Sequence, residues 1–354
     1  MPLEQNRAGP TSGETPHRIV LIRLRSLGDT VLMTPCLSVL KRLPGWETAV
    51  VVEEPFHQVL QDNPHLDRLF VIPRTSGKLA SRLGVLRQIR AFRPEVAVDL
   101  HGGSTSALLT LASGARTRLG YGQNRYAAFY NTRVPPSGQI WAQKTVHTVE
   151  HQLAPLKYLG FPADPIPPLE VALRPELVRQ VQGSLPEHLT DSSEGFVLIH
   201  PAAAFDTKQW EAGKFAQLAN RLVGMGIPVA ITAGPGEESL LQEIGNDASM
   251  EIHFLPPLPL PRFTALASLC RLYIGNDSGA THIVAALKKP IVVIFGSSDS
   301  TVWHPWQTEY RLLRSDLPCI PCPGYECLHF DQPKCIRSIE VDEVWSAARE
   351  FWTT

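Results

Sequence analysis

The sequence has no long hydrophobic run and no excess of charge of either sign. No apolar stretch in its 354 residues approaches the roughly 18–20 residues of a transmembrane helix. The 33 basic and 34 acidic side chains give a formal net charge of −1, whereas a protein that binds a polyanion needs a basic excess. We therefore expect neither a membrane-spanning protein nor a protein that binds nucleic acid.

Charged residues are scarce as well, at 19% of the chain, while apolar residues make up 44%. This composition excludes intrinsic disorder, collagen and coiled coil, and it allows a substantial buried core. At roughly 100–200 residues per domain, the length predicts two domains. Residues 1–16 are polar and lack the apolar segment of a signal peptide, so we expect a disordered leader on a cytoplasmic protein.

Short apolar runs alternate with segments of helical periodicity, a rhythm typical of a doubly wound parallel sheet. The first run, 18–24, is β-branched and continuous like a buried parallel strand. Further strands are predicted at 48–52, 69–72, 96–100, 196–200, 229–232, 272–275 and 291–295. Helices are predicted near 57–61 and at 79–92, 214–225 and 279–287. Pro35 either kinks a helix that begins at Asp29 or lies in the first turn of a helix that Thr34 caps.

A proline-rich stretch at 161–168 predicts a boundary between the two series. We therefore expect two Rossmann-like doubly wound α/β domains, at 17–175 and 176–338, that face a central cleft, followed by a C-terminal helix at 339–354. In such sheets, ligands bind at the carboxyl ends of the strands. The informative residues should therefore come just after strands.

Gly28 and Asp29 follow the first strand. Asp29 either caps the next helix through its carboxylate or serves as a general base at the mouth of the cleft. In the second series, the small residues Ala203 and Ala204 allow backbone N–H groups to approach a ligand. Lys208 beside them suits a phosphate, unless it is an ordinary surface lysine.

Two further segments follow strands of the second series. Glu237 lies in a glycine-rich turn, where a carboxylate can bind a ribose diol or merely favour a helix dipole. Asp277, Ser278 and Gly279 begin a helix whose free N–H groups can bind an anion, and His282 lies one turn further on. The alternative is an N-cap at Asp277 or Ser278 and a buried structural histidine.

In their order and spacing these motifs resemble glycosyltransferase family 9, the ADP-heptose:lipopolysaccharide heptosyltransferases. The resemblance spans Arg18 to about Ile339. It rests on segments 22–29, 200–210, 275–282 and 290–305, together with the cysteine pattern that begins at Cys319. It implies the two-domain glycosyltransferase B architecture, inverting transfer and no required metal ion or cofactor.

The resemblance also implies roles for individual residues. Asp29 corresponds to the proposed catalytic base and Lys208 to the lysine that meets the nucleotide diphosphate. The nucleotide-sugar loop corresponds to Asp277, Ser278, Gly279 and His282. Glu237, or Glu238 one residue on, falls where the ribose of the donor is held.

The implied partners are an ADP-heptose-like donor and a lipid A–core or other glycolipid acceptor. We expect a monomer that contacts the inner face of the cytoplasmic membrane transiently. Arg25, Arg118, Tyr121 and Arg125 are the candidates for acceptor binding, since basic and aromatic groups together suit phosphorylated sugars and lipid headgroups. The alternatives are a nucleotide-sugar epimerase of the same architecture and a non-catalytic module that binds nucleotide sugars.

Four cysteines cluster near the end of the chain, at Cys319, Cys322, Cys327 and Cys335. Their number and the C-x₂-C spacing suit a structural zinc site. One or two disulfides and four free thiols are the alternatives, and a cytoplasmic location disfavours disulfides. None of these states would take part in catalysis.

Overall fold

The structure is a computed structural model. It describes residues 16–74, 78–190, 195–249, 251–322 and 325–352. Nearly all of the predicted leader lies outside these residues. The chain divides into two compact units, Met1–Ala172 and Leu173–Thr354, a few residues before the predicted boundary at 175.

The first unit is built on six strands: β1 His17–Ile22, β2 Trp46–Glu53, β3 Arg68–Ile72, β4 Val96–Asp99, β5 Thr117–Tyr121 and β6 Thr132–Val134. Its helices are α1 Leu27–Leu32, α2 Thr34–Lys41, α3 Lys78–Phe92, α4 Ser104–Ala112, α5 Ser137–Trp141 and α6 Thr148–Leu159. Phe56–Val59, where the sequence predicts a helix, and Ala127–Phe129 form short 3₁₀ helices. All strands pair in parallel, in the order β3-β2-β1-β4-β5-β6.

The second unit repeats this plan with β7 Val197–His200, β8 Val229–Ile231, β9 His253–Phe254, β10 Leu272–Asn276, β11 Ile291–Ile294 and β12 Tyr310–Leu313. Its helices are α7 Pro175–Ser184, α8 Glu187–Thr190, α9 Ala212–Val223, α10 Glu238–Asp247, α11 Leu260–Leu269, α12 Gly279–Ala286, α13 Ser300–Trp303, α14 Lys334–Arg337 and α15 Val341–Glu350. A 3₁₀ turn covers Asp206–Lys208. The parallel order is β12-β11-β10-β7-β8-β9.

Both strand orders are the 3-2-1-4-5-6 arrangement of dinucleotide-binding folds, read from either edge. They confirm the predicted fold class of two Rossmann-like doubly wound α/β units. The continuous apolar runs that predicted β1 and β7 are fully or almost fully buried at the centre of each sheet, as parallel strands covered on both faces require.

The start of the first helices differs from the prediction. Ser26, not Asp29, is the N-cap of α1, and Asp29 occupies the third helical position. Met33 separates α1 from α2, and Pro35 lies in the first turn of α2. A proline there costs no hydrogen bond, because the first N–H groups of a helix have no partner within it.

The proline-rich stretch 161–168 is not a linker between the units. Phe161 packs edge-on against Trp46 with ring centroids 5.1 Å apart. The Arg42 guanidinium donates to the carbonyls of Pro162 and Pro165 at 2.7 and 2.6 Å. These contacts make the stretch part of the first unit, and its prolines lie in a segment that packs against that unit.

Candidate functional site

In each sheet the central pair of strands marks the point where the strand order reverses. The first sheet reverses between β1 and β4, and the second between β7 and β10. Ligands of open α/β sheets bind in the crevice at such points, beyond the carboxyl ends of the strands. The segments that follow these four strands are therefore the candidate sites.

Asp29 lies at the reversal point of the first sheet, and its carboxylate is held on both sides. One oxygen forms an ion pair with Arg23, whose own side chain is 12% exposed while that of Asp29 is 16% exposed. The other oxygen accepts from the backbone N–H and the hydroxyl of Ser26, at 3.3 and 3.0 Å. Arg23 also donates to the carbonyl of Leu100 at 2.5 Å, which ties β1 to the loop after β4.

Both interpretations of Asp29 therefore have a basis in the geometry. Ser26 and Asp29 form a reciprocal capping box, which satisfies N–H groups at the start of α1. The same carboxylate is fixed in one orientation and partly accessible, as a general base at the crevice has to be. Its two roles predict different consequences for mutation.

The loop after β4 supplies residues that sequence reasoning missed. The buried carboxylate of Asp99 accepts from the backbone N–H groups of His101 and Gly102, at 2.9 and 2.8 Å, and from the Tyr130 hydroxyl at 2.8 Å. Burial, followed by the charge of Arg23, lowers the pKa of His101, so its imidazole is neutral at pH 7. Asp99 and His101 lie at the carboxyl end of the strand predicted at 96–100. The rule that ligands bind at such ends, which selected Asp29, would have selected them too.

A cavity of about 380 Å³ opens beside His101 in the first unit. Three guanidinium groups line it, from Arg25, Arg74 and Arg82, against the two carboxylates of Glu53 and Glu54. Of the four predicted acceptor-binding residues, this cavity includes only Arg25.

The other three lie apart from this cavity. The Arg118 guanidinium donates to the carbonyls of Phe129 and Ala115, at 3.4 and 3.3 Å. Tyr121 stacks on His151 and donates to its carbonyl at 2.5 Å, and Arg125 is exposed over the Tyr126 ring. These contacts fix the side chains of Arg118 and Tyr121, and the role of the three residues in acceptor binding stays a prediction.

In the second unit, Lys208 meets Asp277 at the reversal point. The ammonium lies 2.8 Å from Asp277 Oδ2, with Lys208 25% and Asp277 4% exposed. The two residues come from the loops after β7 and β10, which are neighbours in the sheet. Lys208 is therefore a positioned cation at the site, not a solvated surface lysine.

A close backbone contact fixes the turn that carries Lys208. A Cβ atom on Gly296 would lie 2.0 Å from the carbonyl oxygen of Thr207, so only glycine fits there. The next residue, Ser297, donates its N–H to the same carbonyl at 3.1 Å and its hydroxyl to that of Thr207 at 3.0 Å. The loop after β11 thus sets the position of Lys208.

Helix α12 begins beside this ion pair. Ser278 occupies its N-cap, but its side chain makes no capping hydrogen bond. The first backbone N–H groups of α12, from Gly279 onward, therefore have no partner within the helix and can bind an anion. His282 is buried one turn further on, with its ring 6.5 Å from that of Trp303.

The remaining predicted donor contacts lie around the same sheet edge. Ala203 and Ala204 follow β7, and the Ala203 N–H donates to the side chain of Gln209 at 3.3 Å. Glu237 accepts from the Gly234 N–H at 2.6 Å, and burial raises the pKa of its carboxyl. Glu238 is exposed and accepts from the Gly236 N–H at 3.2 Å.

His200, the last residue of β7, predicts a pH dependence of stability. Burial lowers its pKa to about 4, against about 6.5 in an unfolded chain. Between these values the unfolded chain binds the proton and the folded chain does not. The free energy of unfolding should therefore fall, by about 3 kcal/mol in total, as pH drops from about 6.5 to about 4.

Urea unfolding of His200→Gln at several pH values checks this expectation. The variant should lose that part of the pH dependence, whereas His329→Gln, which changes an exposed histidine, should keep it. If wild type and His200→Gln show equal slopes between pH 6.5 and 4, the buried histidine is not responsible.

The structure has the clustered cysteines as free thiols, one of the three states that the sequence left open. Within the described part of the chain, which includes all four of these cysteines, no group of three or more His, Cys, Asp or Glu side chains is arranged to hold a metal ion. Cys319, Cys322, Cys327 and Cys335 are free thiols. The first three are half-buried on an irregular segment, while Cys335 is buried in α14. Spacing alone could not distinguish these surroundings.

The family is decided by comparison with known proteins. Residues 82–330 match the model of glycosyltransferase family 9 (heptosyltransferase), which covers well over half of the chain. The chain belongs to glycosyltransferase family 9. This membership makes it a glycosyltransferase and confirms the resemblance.

Individual members of family 9 resemble the chain over most of its length. Lipopolysaccharide heptosyltransferase 3 of Escherichia coli is 26% identical over 302 residues, which are 80% of this chain and 84% of the relative. The solved family 9 structure from Veillonella parvula DSM 2008 superposes with a TM-score of 0.80 at 24% identity, over 95% of this chain and 97% of that one. E. coli heptosyltransferase WaaC with ADP-2-deoxy-2-fluoro heptose superposes with a TM-score of 0.70 at 20% identity, over 94% and 99%. These structural likenesses establish the fold, the glycosyltransferase B architecture.

Among the residues that the structure describes, no helix of this family 9 chain combines the length and the apolar character needed to span a bilayer.

Proposed function

We propose that this chain transfers a heptose, or a closely related sugar, from an ADP-sugar to a lipopolysaccharide core or similar glycolipid acceptor, with inversion at the anomeric carbon. The observation that carries the proposal is the pair of sites at the two reversal points. A fixed carboxylate lies in the first unit, and a cation beside a helix N-terminus lies in the second. The names of the relatives, lipopolysaccharide heptosyltransferases, support the sugar and the acceptor class.

The second unit would bind the donor. Lys208 and the first N–H groups of α12, at Ser278 and Gly279, would bind the diphosphate, because an ammonium and a helix N-terminus both favour anions. Asp277 would hold Lys208 in place through the 2.8 Å ion pair. Glu237 would accept from the ribose, while the backbone at Ala203 and Ala204 and the side chain of His282 would complete the donor site.

The first unit would bind the acceptor and supply the base. Asp29 would take the proton of the acceptor hydroxyl as that oxygen attacks the anomeric carbon. The Arg23 guanidinium, beside the same carboxylate, would orient it. In the cavity beside His101, Arg25, Arg74 and Arg82 suit an acceptor that carries acidic or phosphorylated sugars.

A single displacement of this kind requires that the departing diphosphate be stabilised. Lys208 and the α12 N-terminus would supply that stabilisation without a metal ion, since preorganised donors at the developing charge lower the barrier. We further propose that the enzyme acts as a cytoplasmic monomer at the inner face of the membrane, where a lipid-linked acceptor would be available.

The test is ADP release by the purified protein from a panel of ADP-sugars, with and without a lipid A–core acceptor. We expect release that depends on the acceptor and is fastest with an ADP-heptose. A new sugar nucleotide formed without acceptor would identify an epimerase instead. Donor binding without turnover under any condition would identify a binding module.

A further inference from the structure

Positive charge is concentrated in one part of the first unit. Residues 78–149 contain ten Lys and Arg but only two Asp and Glu, in a chain whose net charge is −1. Glu95, whose side chain is 54% exposed and lies 3.0 Å from His17, offsets one of these charges at the surface. Asp99 is buried among its hydrogen-bond donors.

The basic side chains at 80–149 have no ion-pair partner among the residues that the structure describes. Elsewhere, arginines and lysines pair with carboxylates at many positions, such as Arg18 with Glu47 and Lys157 with Asp164. In residues 80–149, which are all described, the nine basic side chains form no ion pair with any described residue. They are Arg82, Arg87, Arg90, Arg93, Arg116, Arg118, Arg125, Arg133 and Lys144.

The topology brings part of this charge onto one face. Helices α3 and α4 pack on the same side of the first sheet, where Val85 and Ile89 of α3 share a core cluster with Leu109 of α4. The Arg90 Nε donates to the carbonyl of Ala112 at 2.9 Å and so joins the C-terminal ends of the two helices. Their outward sides therefore form one continuous surface.

We call this surface the α3–α4 face. It comprises Leu83, Arg87, Arg93, Leu108, Leu111 and Arg116, all of them exposed. The three leucines are 47%, 54% and 44% exposed, in that order. Neighbouring exposed leucines rimmed by unpaired arginines are typical of an interaction surface, whereas single exposed apolar residues are ordinary.

We propose that the α3–α4 face docks onto the surface of a bilayer that carries anionic headgroups. Each arginine near such a surface is attracted electrostatically, and its aliphatic stem can lie along the leucines while the guanidinium meets the headgroups. The leucines match the boundary between headgroups and acyl chains, as on amphipathic helices that lie in the interface. A nucleic acid has no apolar layer that the three exposed leucines could contact.

The surface differs from the one that the sequence suggested. That interpretation combined Arg118 and Arg125 with Tyr121, but Arg118 donates to backbone carbonyls and Tyr121 stacks on His151. The arginines and leucines of the α3–α4 face are far apart in sequence and are brought together by the sheet. The proposal rests on the proposed action at a membrane surface and names the face that would make the contact. Its test uses no sugar, so its failure would leave the proposed glycosyl transfer untouched.

The test is flotation of the purified full chain with vesicles of phosphatidylcholine alone or mixed with phosphatidylglycerol. We expect binding to the mixed vesicles that weakens as salt rises, and little binding to phosphatidylcholine alone. Arg87→Glu/Arg116→Glu should weaken binding to the mixed vesicles by about 10-fold or more. The control Arg179→Glu/Arg262→Glu, which makes the same charge change at exposed positions of the second unit, should bind within about 2-fold of wild type.

A second variant tests the apolar part of the face. Leu108→Gln/Leu111→Gln changes no charge, and both positions are exposed, so the fold should be retained. We expect weaker vesicle binding with an unchanged response to salt. Three results would each overturn the proposal. Wild type would fail to bind the mixed vesicles, both charge-reversal variants would lose vesicle binding equally, or the glutamine variant would bind as tightly as wild type. Equally tight binding of an RNA oligonucleotide that is lost in Arg87→Glu/Arg116→Glu would overturn it too, because the surface would then be a general polyanion site.

Discussion

Asp29→Asn should lower kcat by about 10²- to 10⁴-fold, the range for loss of a general base, while the Kd for the ADP-sugar stays within a few-fold of wild type. The amide cannot take the proton of the acceptor hydroxyl. Donor binding should persist, because we assign the diphosphate to Lys208 and α12 in the second unit. Steady-state kinetics with saturating acceptor and calorimetry with the donor alone measure the two quantities separately.

The capping role of Asp29 makes asparagine the informative substitution. Its amide oxygen can still accept from the N–H and hydroxyl of Ser26, so the cap of α1 should survive and the melting temperature should change little. The matched control is Ser26→Ala, which removes the capping hydroxyl and leaves the carboxylate. It should cost about 0.5–2 kcal/mol of stability and keep kcat within a few-fold. Wild-type kcat in a folded Asp29→Asn protein would leave Asp29 as a helix cap only.

Lys208→Ala should weaken binding of the ADP-sugar by about 10- to 150-fold, which corresponds to the 1.5–3 kcal/mol of a hydrogen bond to a charged group. Two effects combine in this variant. The diphosphate loses its ammonium partner, and Asp277, 4% exposed and paired with Lys208, is left as an uncompensated negative charge beside it.

The double variant Lys208→Ala/Asp277→Asn separates these two effects. Removing the stranded charge should recover part of the lost affinity, and the two substitutions should be non-additive because the residues are in contact. Lys334→Ala, which removes an exposed lysine of the same unit, is the control and should leave the affinity unchanged. Unaltered donor affinity in Lys208→Ala would exclude Lys208 from the donor site.

The sequence predicted the strands that are apolar runs and missed β5, β6, β9 and β12, of which β5 lies inside its sheet. Strands β1, β7 and β11 are continuous apolar runs, and buried parallel strands require that pattern. The edge strands β9 and β12 were missed, since one has two residues and the other carries Arg311 within it. Tertiary pairing, not local pattern, makes these segments strands.

For the candidate site, position after a strand was the signal that the sequence offered. It selected Asp29, Lys208 and Asp277, and in the structure the latter two meet across neighbouring loops. It could not predict that Arg23 pairs with Asp29, because the apolar run of β1 gives no indication of how a charged side chain at its end is oriented. The contact of Tyr130 with Asp99 spans 31 residues and depends on the order of β4, β5 and β6.

Cysteine spacing and clustered arginines were weaker guides. Both are patterns in one dimension, and each was interpreted as a site because its members are close in sequence. In the structure Cys319, Cys322 and Cys327 are half-buried and Cys335 is buried. Burial, and then the nearby Cys319 and Cys327, raise the pKa of the Cys335 thiol. The Arg118 guanidinium donates hydrogen bonds to two backbone carbonyls.

We propose a single displacement in which Asp29 deprotonates the acceptor, while Lys208 and the α12 N-terminus hold the leaving diphosphate. The most direct test is the anomeric configuration of the glycolipid product, determined by NMR after incubation with an ADP-heptose and a lipid A–core acceptor. We expect a new linkage of opposite configuration to the donor, formed by wild type and lost with Asp29→Asn. A product that retains the donor configuration, or an inverted product formed equally fast by Asp29→Asn, would contradict it.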